Sequence, residues 1–179
     1  MIEIQRKTVM KKFITLIFAI TLCMTGVKAQ TMDIDEISSR MQLKELVDRY
    51  AVESDKGNQD YYKEIFLPDV KVNVYNGETL TSTFNKVDDM IAAYKQGGKA
   101  VASFHMNGQQ VVEFQDTDHA TGICYCLANL VNPDKEGKNQ LTTLAVRYYD
   151  TYVRINGRWW ISQREQKFVF TASPTLLMP

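Results

Sequence analysis

The chain has 179 residues, and its 21 lysines and arginines balance 21 aspartates and glutamates, so the formal net charge is zero. Hydrophobic residues make up 45% of the chain, which is enough for a globular core. We do not expect nucleic acid as a partner, because binding a phosphate backbone requires a concentrated basic surface that this composition lacks.

Residues 1–29 have the pattern of an export signal. A basic pair precedes an apolar run over 13–22, and small or tolerated residues lead up to Ala29, where we expect cleavage. The apolar run is too short to span a membrane. We therefore expect translation to start at Met10 and the product to be exported, either to the periplasm or out of the cell.

Two details refine this expectation. Cys23 suggests a lipoprotein, but Leu22 stands where a lipid-attachment site has Gly, Ala or Ser, so soluble release is favoured. Cleavage removes five basic residues and one acidic residue, which leaves 16 basic and 20 acidic residues and a net charge near −4. Residues 30–179 are enough for one domain.

The cysteines and histidines of the mature chain do not predict a metal site or a disulfide. Cys124 and Cys126 occupy alternate positions of one predicted strand, a separation poorly suited to bridging each other. A zinc site would need further soft ligands, and the only histidines are His105 and His119. We expect no metal and no other cofactor.

The mature chain begins with helical patterns. The first helix is predicted from 34 to 55, and a second, short one over 60–67 ends at Pro68. A third helix is predicted after a cap at Asn85 and ends at the glycines 97–98. Apolar residues recur at mostly three- and four-residue intervals along the first helix: Ile34, Ile37, Met41, Val47, Tyr50 and Ala51.

The rest of the chain has β patterns. Alternating valines over 70–74, a turn at Asn76-Gly77 and a return over 80–84 predict a hairpin. Long strands of this kind favour a bent and twisted sheet with bulges. Helices placed before an antiparallel sheet predict an α+β domain. Four more strands are predicted at 101–115, 120–132, 140–155 and 158–170.

Asp55 is the least expected residue of the first helix. It shares a stripe with Val47 and Ala51, so its carboxylate is directed toward the core. A carboxylate in that position needs a charged or hydrogen-bonding partner, and such a group is a candidate base. If the helix instead frays near Lys56 and Gly57, Asp55 is a solvated C-terminal residue, and the spacing leaves both interpretations open.

Three segments together resemble the SnoaL-like branch of the NTF2-like superfamily. They are the run over 50–58, His105, and the run over 147–161 with its Tyr-Asp strand, Asn-Gly turn and tryptophan pair. The resemblance covers nearly the whole mature chain. It implies an NTF2-like cone, in which three N-terminal helices pack on a strongly curved antiparallel sheet and enclose one deep pocket.

Within this branch the sequence is most similar to the scytalone dehydratase and bile acid 7α-dehydratase group. In that group an Asp of the first helix and a His of the strand after the third helix act together, and Asp55 and His105 match these positions. Tyr50 and Arg164 match a further Tyr and a late Arg, so the resemblance implies four catalytic residues. Four more residues are expected to line the pocket: Val47, Ala51, Tyr125 and Cys126.

The sequence departs from the group at three places. Cys124, Tyr125 and Cys126 stand where scytalone dehydratase has a second His, and Ser54 replaces its additional Tyr. No second Asp lies near Ala128, where the bile acid enzyme has one. The implied unit is therefore an Asp–His dyad with support from a phenol.

These residue types suit the loss of water from an alcohol that carries a carbonyl group. His105 can take a proton if its other ring nitrogen donates to Asp55. Tyr50 can donate to the carbonyl oxygen, and Arg164 can bind a carboxylate or an oxyanion. Each has a structural alternative: His105 can simply bond a neighbour, and Tyr50 can be a core residue.

Three functions follow. The first is a cofactor-independent dehydratase or isomerase that acts on a hydrophobic, oxygenated small molecule. The second is a non-catalytic protein that binds a small apolar ligand. The third is an association module whose open sheet pairs with another subunit, and a homodimer is expected in each case. We also expect Arg154 and Asp150, which share a face of their strand, to form a structural pair.

Overall fold

The fold is given by a computed structural model of the chain, which describes residues 33–173. The predicted export signal over 1–29, with Cys23, lies outside the described residues. Within them, no helix combines the length and apolar character needed to cross a membrane.

The helices are α1 (Ile34–Lys56), a 3₁₀ helix (Gln59–Glu64) and α2 (Val87–Gln96). The strands are β1 (Phe66–Asn76), β2 (Thr79–Phe84), β3 (Ala102–Phe114), β4 (His119–Pro133), β5 (Asn139–Ile155) and β6 (Arg158–Ala172).

The six strands form one curved sheet in the order β2-β1-β6-β5-β4-β3. Four of the five pairings are antiparallel, and β1 pairs with β6 in parallel, so the sheet is mixed where the sequence predicted an antiparallel one. The predicted α+β class is confirmed. The expected bulges are present, because the register shifts within the long pairings β3–β4 and β5–β6.

Helix α1 packs on the inner face of the sheet, which we define as the face turned toward the helices. Val47 and Tyr50 are buried in the core, as their spacing predicts, and Leu43 is buried beside them. The apolar residues of the first turns are instead exposed, with Ile34 at 83% and Met41 at 69%. Near that end, Arg40 makes the contact with β3, where its Nη1 donates to the carbonyl of Val112 (3.0 Å).

The segment after α1 differs from the predicted helix over 60–67. A 3₁₀ helix ends at Glu64, and β1 already begins at Phe66 and runs through Pro68. Proline cannot donate to a strand ladder, and the pairing of β1 with β6 is interrupted between Phe66 and Lys71, where Pro68 lies. Pro68 therefore marks a break inside a strand instead of the end of a helix.

A seam of hydrogen bonds joins α1 to β3. Ser103 donates to the carbonyl of Asp55 (3.3 Å), Asn107 to that of Val47 (2.9 Å), and Gln110 to that of Leu43 (3.3 Å). These β3 residues face inward. The register shift between Asn107 and Gln110, at Gly108, keeps the side chain of Gln110 on the same inner face as that of Asn107. The polar alternation of β3 thus serves to fix α1 along the strand.

Candidate active site

A cavity of about 320 Å³ lies between the inner face of the sheet and the helices. Apolar side chains from β4, β5 and β6 line part of its wall, among them Leu130, Leu144, Val146 and Phe168. The polar part of the wall contains His105 and Gln166 together with four tyrosines: Tyr50, Tyr62, Tyr94 and Tyr148. An apolar enclosure with a few convergent polar groups is typical of small-molecule sites.

Asp55 and His105 are in direct contact. The Oδ1 of Asp55 lies 2.6 Å from the Nδ1 of His105, and its Oδ2 accepts the backbone N–H of His105 at 3.0 Å. Because a carboxylate only accepts hydrogen bonds, the Nδ1 carries the proton and donates it to Asp55. The Nε2 is then an acceptor, and His105 is the member of the pair that lines the cavity. The side chains of His105 and Asp55 are 14% and 26% exposed.

The end of α1 is fixed so that Asp55 reaches β3. Gly57, at φ +70°, ends the helix in the left-handed region that glycine tolerates best. The buried carboxylate of Glu53 accepts hydrogen bonds from Lys56 (2.8 Å) and Asn58 (2.7 Å), and the backbone N–H of Asn58 donates to the carbonyl of Glu53 (2.9 Å). Asp55 therefore lies in a regular last turn, and the fraying alternative is wrong.

Tyr50 faces the cavity within an aromatic cluster. Its ring centroid is 4.8 Å from that of Tyr62 and 5.7 Å from those of Phe66 and Tyr148. Burial raises the pKa of the Tyr50 hydroxyl well above its usual range. The phenol therefore keeps its proton at neutral pH, which suits a hydrogen-bond donor and not a base.

Arg164 does not line the cavity, contrary to the role that the resemblance implied. Its side chain is 1% exposed, and its Nε and Nη2 donate to the two carboxylate oxygens of Asp150 at 2.7 and 2.8 Å. The guanidinium lies 4.6 Å from the ring centroid of Tyr50 and 4.3 Å from that of Tyr148, so these rings stand over it. Asp150 is thereby paired with Arg164, and the expected pair with Arg154 is wrong.

The four residues expected to line the cavity lie elsewhere. Val47 and Ala51 are buried in the packing of α1, while Tyr50 and Ser54, one helical turn apart, supply the helix wall of the cavity. Tyr125 lies on the outer face of the sheet, where the guanidinium of Arg147 stacks on it at 5.2 Å. Cys126 is buried and is also absent from the wall. These predictions failed because the periodicity of a helix or strand identifies its packed face but does not show where a cavity remains in the core.

Most residues of the wall were not predicted as site residues, among them Ser54, Tyr94 and Gln166. Ser54 donates to the carbonyl of Tyr50 (2.6 Å) and contacts the hydroxyl of Tyr62 (2.7 Å). Tyr94 of α2 donates to the Oε1 of Gln166 of β6 at 3.2 Å. The position of Gln166, alternating with Phe168 on an inward-facing strand, was a usable indication in the sequence.

The buried thiols are poor nucleophiles. Burial raises the pKa of Cys124 to about 12 and that of Cys126 to about 11, so both are protonated at neutral pH. Among residues 33–173, no three His, Cys, Asp or Glu side chains come together as a metal-binding group. The reactive groups on the cavity wall are therefore the imidazole of His105, the amine of Lys99 and the phenols.

Comparisons with known proteins agree with this architecture. The SnoaL-like domain family matches residues 35–165 of the chain. No protein of curated function matches the chain significantly.

Three solved structures illustrate the range of similar folds. A putative scytalone dehydratase from Novosphingobium aromaticivorans is 18% identical, with a TM-score of 0.66 over 83% of this chain and 94% of that one. The hexachlorocyclohexane dehydrochlorinase LinA-type3 from Novosphingobium barchaimii is 20% identical, with a TM-score of 0.69 over 83% and 100%. The β subunit of a putative aromatic-ring-hydroxylating dioxygenase from Novosphingobium aromaticivorans is 14% identical, with a TM-score of 0.60 over 80% and 95%. These similarities confirm the predicted NTF2-like fold, and at such identities they show the fold alone.

Proposed function

From the premise that this chain belongs to the SnoaL-like domain family, we propose that it is a cofactor-independent lyase acting on a hydrophobic, oxygenated ring compound. The observation that carries the proposal is the contact between Asp55 and His105 at the wall of an apolar cavity. The names of two similar structures, a putative scytalone dehydratase and a dehydrochlorinase, both describe eliminations and support this class of reaction.

The proposed step begins at His105. Its Nε2 takes a proton from the carbon beside a carbonyl group, and the electron pair of the broken C–H bond forms an enolate. Asp55 accepts the Nδ1 hydrogen bond and so stabilises the imidazolium that results. When the bond to the leaving hydroxyl breaks, the enolate collapses to a conjugated carbonyl, and the proton held by His105 leaves with the hydroxyl as water.

Tyr50 supplies the second group that this chemistry needs. Its raised pKa keeps the hydroxyl protonated, so that it can donate to the carbonyl oxygen as negative charge develops there. Tyr50 precedes Asp55 by five residues on α1, so one helix positions both the donor and the carboxylate that orients the base. An isomerase would use the same two groups and return the proton to another carbon.

The cavity narrows the class of substrate. Its volume of about 320 Å³ lies at the lower end of ligand pockets, which span about 300 to 1,000 Å³, so a compact ring compound fits better than a large polycyclic one. The apolar residues Leu144, Val146 and Phe168 favour a substrate with an apolar body, because a charge buried against them would need a partner.

The test is turnover of cyclic β-hydroxyketones, followed by the ultraviolet absorbance of the conjugated product. We expect Asp55→Asn and His105→Ala each to lower the rate by at least about a hundredfold while the melting temperature stays nearly unchanged. His119 and Asp116 offer a matched control, since they form a similar pair (2.9 Å) in an exposed turn. His119→Ala and Asp116→Asn should leave the rate intact.

A non-catalytic binding protein is the second candidate, because the cavity alone explains ligand binding. If a ring compound raises the melting temperature but is not converted, and Asp55→Asn binds it as well as the wild type does, the lyase proposal is wrong and the binding function remains.

We also propose two properties of the whole protein. The first is export, with cleavage near Ala29, which mass spectrometry of the secreted or periplasmic product would test.

The second is a homodimer formed through the outer face of the sheet, the face turned away from the helices. Exposed apolar side chains on that face support it: Phe104, Met106, Val111, Leu127 and Phe170.

A further inference from the structure

Gln166 stands out on the cavity wall because only one side of its amide is engaged. Its Oε1 accepts the hydroxyl proton of Tyr94 (3.2 Å), and the residue is 8% exposed. Within residues 33–173 the amide NH₂ of Gln166 has no hydrogen-bond acceptor. Its nitrogen is not fully buried, so it is accessible from the cavity that Gln166 lines. An NH₂ group without a protein acceptor can donate to a ligand oxygen that enters the cavity in place of water.

Tyr94 fixes the orientation of this amide. The hydroxyl of Tyr94 donates to the amide oxygen and so holds this oxygen on its side. The amide nitrogen is thereby left for a ligand. Gln166 is next to Tyr148 across the β5–β6 pairing, so the aromatic cluster packs around the amide.

Gln166 and His105 lie at separate parts of the cavity. His105 is on β3 and Gln166 on β6, three strand spacings apart, and the pairing register sets them four residues apart along the strands. At about 4.8 Å per spacing and about 3.3 Å per residue, their backbones are roughly 20 Å apart along the sheet surface. The inward-pointing side chains shorten that gap. Apolar residues stand between them, namely Ala128, Leu144 and Val146.

We propose that Gln166 is a specificity-determining residue whose amide donates to a second oxygen of the substrate, at the end opposite the group that reacts at His105. The inference rests on the proposed function and deepens it. The substrate class becomes a ring compound with an oxygen at each end and an apolar body between, and Tyr94 positions the amide that recognises the far oxygen.

The experiment measures dissociation constants by calorimetry for two pairs of probes. One pair is α-tetralone and its analogue with a hydroxyl on the far ring, and the other is hydroxybiphenyl and its para,para-dihydroxy analogue. For at least one pair, we expect the wild type to prefer the probe with two oxygens by about twofold to tenfold, the value of one hydrogen bond.

Gln166→Leu keeps much of the side-chain volume and removes the donor, so we expect it to lose this preference while binding the one-oxygen probe normally. Tyr94→Phe should weaken the preference, because it frees the amide to rotate. Gln163→Leu, an exposed glutamine on the same strand, should behave as the wild type.

The outcomes separate this inference from the proposed function. If Gln166→Leu keeps the full preference, or if the wild type shows none for either pair, the inference is wrong whatever the turnover assay gives. If the preference depends on Gln166 but no compound is converted, the lyase proposal is wrong and the recognition role remains.

Discussion

The carboxylate of Asp55 uses both of its oxygens on a single residue of the neighbouring strand. One oxygen holds the imidazole of His105 and the other holds its backbone N–H, so the ring cannot rotate without breaking the first bond, and the residue cannot move away from α1 without breaking both. Most other bonds between α1 and β3 use a backbone carbonyl of one element, and the bond of Asn107 to Asp48 joins two side chains. The contact of Asp55 with His105 differs from these bonds because it places an imidazole on the cavity wall, and this position favours a chemical role.

Tyr50 provides a prediction at the same scale. Because burial keeps its hydroxyl protonated, replacing it by phenylalanine removes a donor and little volume. We expect Tyr50→Phe to lower kcat by about two to three orders of magnitude, with a much smaller change in KM, since the donor is needed most when charge develops on the substrate oxygen.

The matched control is Tyr75→Phe, because Tyr75 lies on β1 outside the cavity wall. Steady-state kinetics on the best compound of the turnover panel would make the comparison. An unchanged kcat in Tyr50→Phe would remove Tyr50 from the mechanism.

Single residues differ in how far the sequence identified them. Asp55 and His105 could be paired in advance through the family pattern, and the helical stripe supported Asp55 alone. Arg164 could not be placed, because its side chain satisfies Asp150 beneath the aromatic rings, and the sequence contains no sign of which acid it meets. Gln166 was missed although its alternation with Phe168 indicates an inward-facing position, because that pattern does not show that a cavity lies in front of it.

At the scale of elements, the last turn of α1 determines where Asp55 is directed. Lys56 and Asn58 lower the pKa of the Glu53 carboxyl below its usual value by hydrogen bonding to its charged form. The folded state therefore binds this proton less readily than the unfolded state. The resulting stabilisation is present above the ordinary pKa of glutamate, about 4.3, and is lost as the pH falls through the lower folded value.

Glu53→Gln tests this element. We expect the variant to melt at a lower temperature than the wild type at pH 7, and the difference to shrink as the pH falls below the ordinary pKa of glutamate and the wild-type carboxyl becomes protonated as well. Thermal unfolding followed by circular dichroism at a series of pH values measures this. A difference that is independent of pH would show that the charge of Glu53 is not what stabilises the turn.

The secondary structure was predicted well where the periodic pattern of apolar and polar residues is long, and poorly where it covers only a few residues. The long strands β3 to β6 were predicted to within two residues at each end, because their alternation and turns are strong. The six residues of the 3₁₀ helix were too few to distinguish it from an α-helix. Pro68 was interpreted as the end of that helix, although it lies at an interruption of the β1–β6 pairing. The parallel pairing of β1 with β6 could not be predicted, since it joins strands about ninety residues apart.

For the whole molecule, the proposed homodimer depends on the exposed apolar side chains of the outer face of the sheet. Met106 is 52% exposed and Leu127 is 36% exposed on adjacent strands. A stable dimer buries about 800 Å² on each partner, and covering this face would remove these side chains from water. We expect the mature wild type to have twice the monomer mass by light scattering after size-exclusion chromatography.

Met106→Glu should convert that dimer to a monomer, because a buried unpaired charge opposes association. The matched control is Val52→Glu, since Val52 is 43% exposed on α1 and lies away from the sheet. A wild type that is monomeric at all concentrations, or a dimer that both variants leave unchanged, would contradict an interface on this face.

The central claim is that Asp55 holds the ring of His105 with Nδ1 protonated and Nε2 open to the cavity. Heteronuclear NMR of protein labelled with ¹⁵N at histidine tests it most directly, because the two ring nitrogens have distinct shifts and couplings in each tautomer, and His119→Ala assigns the signals. We expect His105 of the wild type to show a protonated Nδ1 and a bare Nε2, and Asp55→Asn to lose that tautomer. A bare Nδ1 in the wild type, or the same tautomer in Asp55→Asn, would contradict the account.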